Sequence, residues 1–218
     1  MANTSHDIRL LYIEQMITKF KEQVQRRLFG SAKLVGGAQR LLEEMAGKVA
    51  ALRYSYLDGV LLAEFEETAA LISLGKDATG ILRQNPALTP GQTAFLDFVD
   101  AVLDRLPDAL RENASLDSLS PVQIGEVLRA DKAPKTKGLL LCRVSAFDKN
   151  LQIVTNLLDT RVGSKMKVAR VPPAEIMGHL SEAQFVGTAP VNALLGTRPQ
   201  LNDHERQELR KSMSVLMD

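Results

Sequence analysis

The sequence predicts an α+β protein: an N-terminal α-helical bundle, then a small β-barrel and a C-terminal helix. Three observations carry this. Apolar residues recur at three- and four-residue steps up to about residue 129, and beyond Gly138 the period shortens towards two. Asn202-Asp203-x-Glu205 then opens a last helical stripe of Leu209, Met213 and Leu216. The expected domains are residues 1–130, helical, and 131–218, barrel with terminal helix.

Leu10, Ile13, Ile17, Phe20, Val24 and Leu28 line one face of a first helix, opened by Thr4-x-x-Asp7 and closed near Gly30. A second stripe holds Leu34, Ala38, Leu41, Met45, Val49 and Leu52; its Gly36-Gly37 pair either lowers helix stability or permits close packing. A third runs through Leu57, Leu61, Phe65, Ala69 and Ile72. Asn85-Pro86 breaks the pattern, and Thr89-Pro90-Gly91-Gln92 combines an N-cap, a proline at the first helical position and glutamine at the third. Phe95, Val99, Val102 and Leu106 supply a fourth helix; Val122, Ile124, Val127 and Leu128, after Ser120-Pro121, a fifth. Long amphipathic helices with short joints predict a bundle. Its carboxylates, such as Glu64, Glu66 and Glu67, read as solvated surface, and Tyr54 and Tyr56 either stack on a base or pack at a rim.

At Ala130–Gly138 the composition turns small and basic, a linker or an ordered loop. GLLLCRVSAF, NLQIVTNLL and SKMKVARV then read as three strands with tight joints, EAQFVG as a fourth and Ala189–Leu195 as a further candidate. Alternation in SKMKVARV turns Lys165 and Lys167, with Arg170 as a further candidate, towards solvent. Five short strands are too few for a large sandwich and favour a small closed barrel, for which the OB-fold is the natural choice.

Hydrophobic residues make up 45% of the 218 and charged ones 24%, as in soluble globular proteins. No apolar run approaches a bilayer span and the start lacks the pattern of a signal peptide, so the expected location is the cytoplasm, with no membrane partner. The lone Cys142 forms no internal disulfide and is expected to be a buried, inert thiol. His6, His179 and His204 show neither metal-ligand spacing nor a nucleophile–base set, and Gly36-Gly37 lacks the Lys-Ser/Thr of a phosphate loop. No catalytic function, metal or cofactor is therefore expected.

The charge of +1 is unevenly distributed. Residues 1–128 carry 13 Lys and Arg against 17 Asp and Glu, whereas 129–170 carry ten basic residues against three aspartates. A polyanion is the obvious partner for that excess.

From about Lys137 to Gly187, LLLCRV, LQIVTN, VGSKMKVARVPPAEIMG and SEAQFVG resemble, in order and spacing, the tRNA-binding OB domain. That domain occurs in synthetase appendages and in stand-alone tRNA-binding proteins. Most members have Ser-Glu-Gly-Met where this chain has Ser181-Glu182-Ala183-Gln184, closer to the secretion-chaperone-like variant. The resemblance implies binding of tRNA or another structured RNA, with an aminoacyl-tRNA synthetase as a candidate partner. Lys135, Lys137, Arg143, Lys165, Lys167 and Arg170 are the expected phosphate contacts, with Asn156, Ser181 and Glu182 near the ligand. Ser181 and Glu182 are equally well read as turn and cap residues. Pro172-Pro173 would end a strand at a corner and Gly178 permit the next bend. Stand-alone members resemble dimers, so a homodimer is expected, with the N-terminal stripes forming an intermolecular bundle. The alternative is a protein-interaction or chaperone-like module whose barrel or helices bind a polypeptide.

Overall fold

The computed structural model describes residues 4–134 and 136–217, which combine helices with a curled antiparallel sheet. The chain divides into two compact units, Met1–Leu119 with Ser214–Asp218, and Ser120–Met213.

In the first unit a 3-10 turn, Thr4–His6, precedes α1, Ile8–Gln25. Asp7 caps α1 by accepting from the Arg9 amide at 2.9 Å. The second helix, α2, spans Ala32–Arg53 and buries Val35, Ala38, Leu42, Met45, Val49 and Leu52, so Leu34 and Leu41 of the expected stripe are only half-buried. The observed series keeps an unbroken three-four rhythm around Ala38, which the helical period requires. Neither Gly36 nor Gly37 serves close packing: a Cβ would meet nothing at Gly36 and only ordinary contact with Ile81 at Gly37.

The third stripe is not one helix but two, α3 (Gly59–Glu64) and α4 (Glu66–Arg83). Phe65 between them is extended, with φ −68° and ψ 138°, and the break resets the rotational phase. Leu62, Thr68, Leu71, Ala78 and Leu82 are buried while Leu61 and Ala69 are exposed. The Thr68 hydroxyl stitches the break by donating to the Leu62 carbonyl at 2.6 Å. Gly75 marks one close helix approach: a Cβ there would lie 2.2 Å from Leu103 Cδ1.

The fourth helix, α5, runs Pro90–Arg111 and has the expected capping box: Gln92 N donates to Thr89 Oγ1 at 3.3 Å and Thr89 N to Gln92 Oε1 at 2.7 Å. Phe95 packs edge-on to Phe20, centroids 5.5 Å apart, and Phe29 joins them, whereas Leu28 is exposed. Leu10, Ile13, Ile17, Phe20, Val24 and the α2 core residues are buried inside the chain itself. The stripes assigned to an intermolecular bundle thus already have partners.

Ser120 opens the second unit. The helix expected after Ser120-Pro121 is instead strand β1, Val122–Lys132. Val122, Ile124 and Val127 suit a strand that alternates inward and outward and is displaced once by a bulge between Val127 and Arg129. Gly125 marks the interior: a Cβ there would stand 2.9 Å from the Ser145 carbonyl and 3.0 Å from Val168. Next come β2 (Leu140–Ala146), β3 (Lys149–Thr155), β4 (Lys165–Ala169), β5 (Ala174–Ile176), β6 (His179–Ser181) and β7 (Gln184–Phe185). The antiparallel order is β3-β2-β1-β4-β7, with β5-β6 a separate hairpin. Two-residue turns with both φ values positive close two hairpins, Phe147-Asp148 and Met177-Gly178. The Pro-Pro corner thus feeds the β5-β6 hairpin.

Inside the curl Val127, Cys142, Val144, Leu151, Ile153, Met166 and Val168 form the core. Ala189–Leu195 is not a strand, because Pro190 and the bend closed by Thr197 on the Leu194 carbonyl interrupt it. The stretch serves as a strap: Val191 N donates to Lys165 O, Gly196 N to Ile124 O and Ile124 N to Thr197 O. Ile124 is buried. The last helix, α6 (Asp203–Ser214), starts where expected, with Asn202 Oδ1 accepting from Glu205 N and Glu205 Oε2 from Asn202 N, each at 2.9 Å. No helix among the described residues is long and apolar enough to cross a membrane.

Candidate functional site

The cations assigned to β4 do not face solvent. Arg170 is 2% exposed, because it stands beyond the last ladder pair, where the chain crosses to Ser120, whose hydroxyl donates to the Arg170 carbonyl at 2.7 Å. The Lys167 ammonium lies 2.8 Å from both Glu205 carboxylate oxygens and donates to Gln200 O at 3.0 Å. Lys165 donates to Ala193 O at 3.1 Å. The outer side of β4 is therefore covered by the strap and α6, and its lysines hold that cover in place.

Burial alone would raise the Glu205 pKa, but the Lys167 bond and charge and the Asn202 bond outweigh it and hold the carboxyl below its ordinary range. A depressed carboxylate stabilises the fold fully above its unfolded pKa, and that contribution disappears as pH falls through the lower folded value. Glu205→Gln is expected to cost about 2 kcal/mol at pH 7 and to flatten the acid limb of stability. Urea titrations at pH 7 and pH 3, read by amide exchange in β4, check both; an equal loss at the two pH values refutes the pairing.

Ser181 and Glu182 turn out to close the curl. Ser181 Oγ is buried, accepts from Val154 N at 3.0 Å and donates to Ala183 O at 3.0 Å. Glu182 Oε2 accepts from Gln152 N at 2.7 Å, and Glu182 N donates to Gln152 O at 2.9 Å. These side chains complete the bonding of β3's outer edge, as the turn-and-cap reading describes, and Glu182 stays half-buried.

Accessible cations gather elsewhere, on the outer face of β1-β2-β3. Arg129 and Arg143 are directly opposite in the β1-β2 ladder, and Arg143 is opposite Gln152 in β2-β3. Together with Lys132, Asp131 and Pro134 they line a depression of about 480 Å³ floored by Leu141. Arg129 is ion-paired through Nε to Asp131, yet its side chain is 74% exposed. Facing like charges repel across a ladder, and the Asp131 carboxylate offsets part of that repulsion from within the same depression. Gln152 is fixed by donating to Leu180 O at 2.7 Å.

Of the other expected contacts, Lys137 is exposed on the β1-β2 loop, which is ordered by Ala133 N donating to Leu139 O at 3.0 Å; Lys135 lies outside the described residues. Asn156 is exposed beside a second depression past the end of β3. Arg129, Lys132 and Gln152 line the first depression without being among the contacts expected from the sequence, in which Arg129 and Lys132 fall at a helix end and in a linker. The signal lies in the β-branched Val122, Ile124 and Val127 and in the Arg129-x-Asp131 spacing, which a strand puts on one face.

Cys142 is buried in β2, and burial first, then the Asp131 charge, push its thiol up to about 11. Tyr54 and Tyr56, in the helical unit, are 58% and 50% exposed, with the Arg53 guanidinium 5.6 Å from the Tyr54 ring centre. Among the described residues no three His, Cys, Asp or Glu side chains are grouped to hold a metal ion. No protein-family model matches the chain, and no curated protein matches it either.

Proposed function

We propose that the second unit is an OB-type barrel that binds structured RNA, tRNA foremost, without catalysis. The fold reading is supported by a central β1 paired with both β2 and β4, and by the Ser181-Glu182 stretch bonded to β3 opposite β7's pairing with β4. It is supported also by the segments that resemble the tRNA-binding family, which lie on β2, β3, β4 and the β5-β6 hairpin in order.

One observation carries the ligand reading: Arg129 and Arg143 oppose each other on an outer face, with Lys132 in the same depression. Three such cations neutralise phosphates and release counterions, so binding is steeply salt-dependent and weakly sequence-selective. Filter binding of total tRNA is expected to weaken on the order of 50-fold between 50 and 200 mM salt, as three phosphate contacts dictate. Arg129→Glu with Arg143→Glu is expected to reduce affinity at least tenfold and flatten the salt slope, whereas Lys165→Gln leaves the slope unchanged. Salt-independent binding, or retention of a polypeptide ligand with no tRNA bound at any salt, rejects the reading in favour of a protein-interaction module.

A further inference from the structure

We infer that the same face carries, one step along β2-β3 from the cationic depression, a pocket for a single unstacked nucleobase, so that the segment gripped is single-stranded; this rests on the RNA reading above. The ladder sets the spacing. Arg143 is opposite Gln152 and Leu141 opposite Val154, which places successive outer rows roughly 7 Å apart. The cationic depression takes the first row and Leu141; Val154 and the residues beyond it, Leu139 and Asn156, belong to a second depression of about 490 Å³.

The second depression differs in chemistry from the first. Leu139, Leu157 and the half-buried Phe185 give it an apolar, aromatic wall, and Phe185 is anchored against the barrel core. Its rim carries Asn156, Gln184 and Glu208. Gln184 Oε1 accepts from the Ser212 hydroxyl at 2.6 Å, which orients the amide. Among the described residues no cation lines it, and the Glu208 carboxylate disfavours phosphate there while accepting from an N–H donor.

Read along the strands, the face presents paired guanidinium groups, then an apolar row, then an aromatic wall rimmed by amides and a carboxylate. A nucleotide presents the complementary sequence: phosphate, sugar, and a flat base edged with amino and imino groups. A duplex cannot use the second depression, since its bases are stacked and paired; an unpaired nucleotide can. The carboxylate and amides favour a base with an exocyclic amine, adenine over uracil.

The test is fluorescence anisotropy of the full chain with a labelled six-nucleotide oligoadenylate, an oligouridylate, and a base-free sugar-phosphate of the same length. Oligoadenylate is expected to bind about tenfold more tightly than the base-free chain and several-fold more tightly than oligouridylate, in keeping with one stacked base. Phe185→Ala is expected to abolish the base preference while leaving the salt slope intact. Because Phe185 also packs on the core, Asn156→Leu and Glu208→Leu on the exposed rim decide the matter if that variant unfolds; each is expected to erase the adenine preference. Equal, salt-dependent binding of all three probes, unaltered by the rim variants, overturns the pocket and leaves the RNA reading standing. Absence of salt-dependent binding to these probes and to tRNA alike overturns both.

Discussion

Replacing Arg9 by methionine is expected to destabilise the helical unit by about 3–5 kcal/mol, the range for removing one partner of a buried ion pair. Arg9 is 3% exposed. Its Nε and Nη2 donate to the two Asp7 oxygens at 2.9 and 2.5 Å, and Nη1 donates to the Ala109 carbonyl at 2.5 Å and that of Glu112 at 2.9 Å. Those carbonyls lie at the end of α5, where the last C=O groups lack helical partners and a positive charge is favoured. One guanidinium therefore joins the cap of α1 to the end of α5. Methionine fills much of the volume but removes the charge facing the buried Asp7 carboxylate, leaving it only the residue 9 amide, and takes the side-chain donor from the Glu112 carbonyl; Ala109 O keeps only the Glu112 amide. All three tyrosines, Tyr12, Tyr54 and Tyr56, lie in this unit and the chain has no tryptophan, so urea unfolding followed by tyrosine fluorescence reads the effect directly. A loss under 1 kcal/mol refutes the bridge; Arg9→Lys is expected to fall between, because an ammonium cannot reproduce the fork.

Gly59→Ala is expected to cost about 3 kcal/mol, at the upper end for overpacking. A Cβ at Gly59 would stand 2.1 Å from the Leu110 carbonyl oxygen and 3.3 Å from its carbon. Main chain cannot rotate aside, so α3 and α5 must separate. Gly75 offers the contrast: its intruded neighbour is the Leu103 Cδ1 methyl at 2.2 Å, which can change rotamer, so Gly75→Ala is expected to cost nearer 1 kcal/mol. Thermal unfolding by circular dichroism ranks the two, and the reverse order refutes the argument. Arg9 Nη2 lies 3.9 Å from the Gly59 Cβ position, so the Arg9 and Gly59 substitutions are expected to be non-additive.

What the sequence disclosed, it disclosed through local chemistry. The Thr89–Gln92 box and the Asn202–Glu205 start are complete within four residues, and both stand in the structure as read. The runs LLLCRV and LQIVTN carried their own alternation and became β2 and β3. Where partners are distant, the reading failed. Nothing near Lys167 reveals that Glu205, 38 residues later, meets it, and nothing near Ser181 that Val154 N seeks an acceptor. A strand's lysines look solvated until the later chain is laid across them. Arg129 was hidden by a different cause: the bulge after Val127 disturbs the period of two, and the apolar residues before it then mimic a helical stripe.

The strap touches the sheet through main-chain atoms: Val191 N, Ala193 O, Gly196 N, Thr197 O and Gln200 O. Such a seam is indifferent to lettering but strict about length. Along it, most replacements leave the bonding untouched, save proline at Val191 and any side chain at Gly196, whose φ is +76°; inserting or deleting a single residue between Val191 and Asn202, by contrast, throws Glu205 out of step with Lys167. In this part of the chain, natural drift should therefore show up as altered spelling with an invariant count.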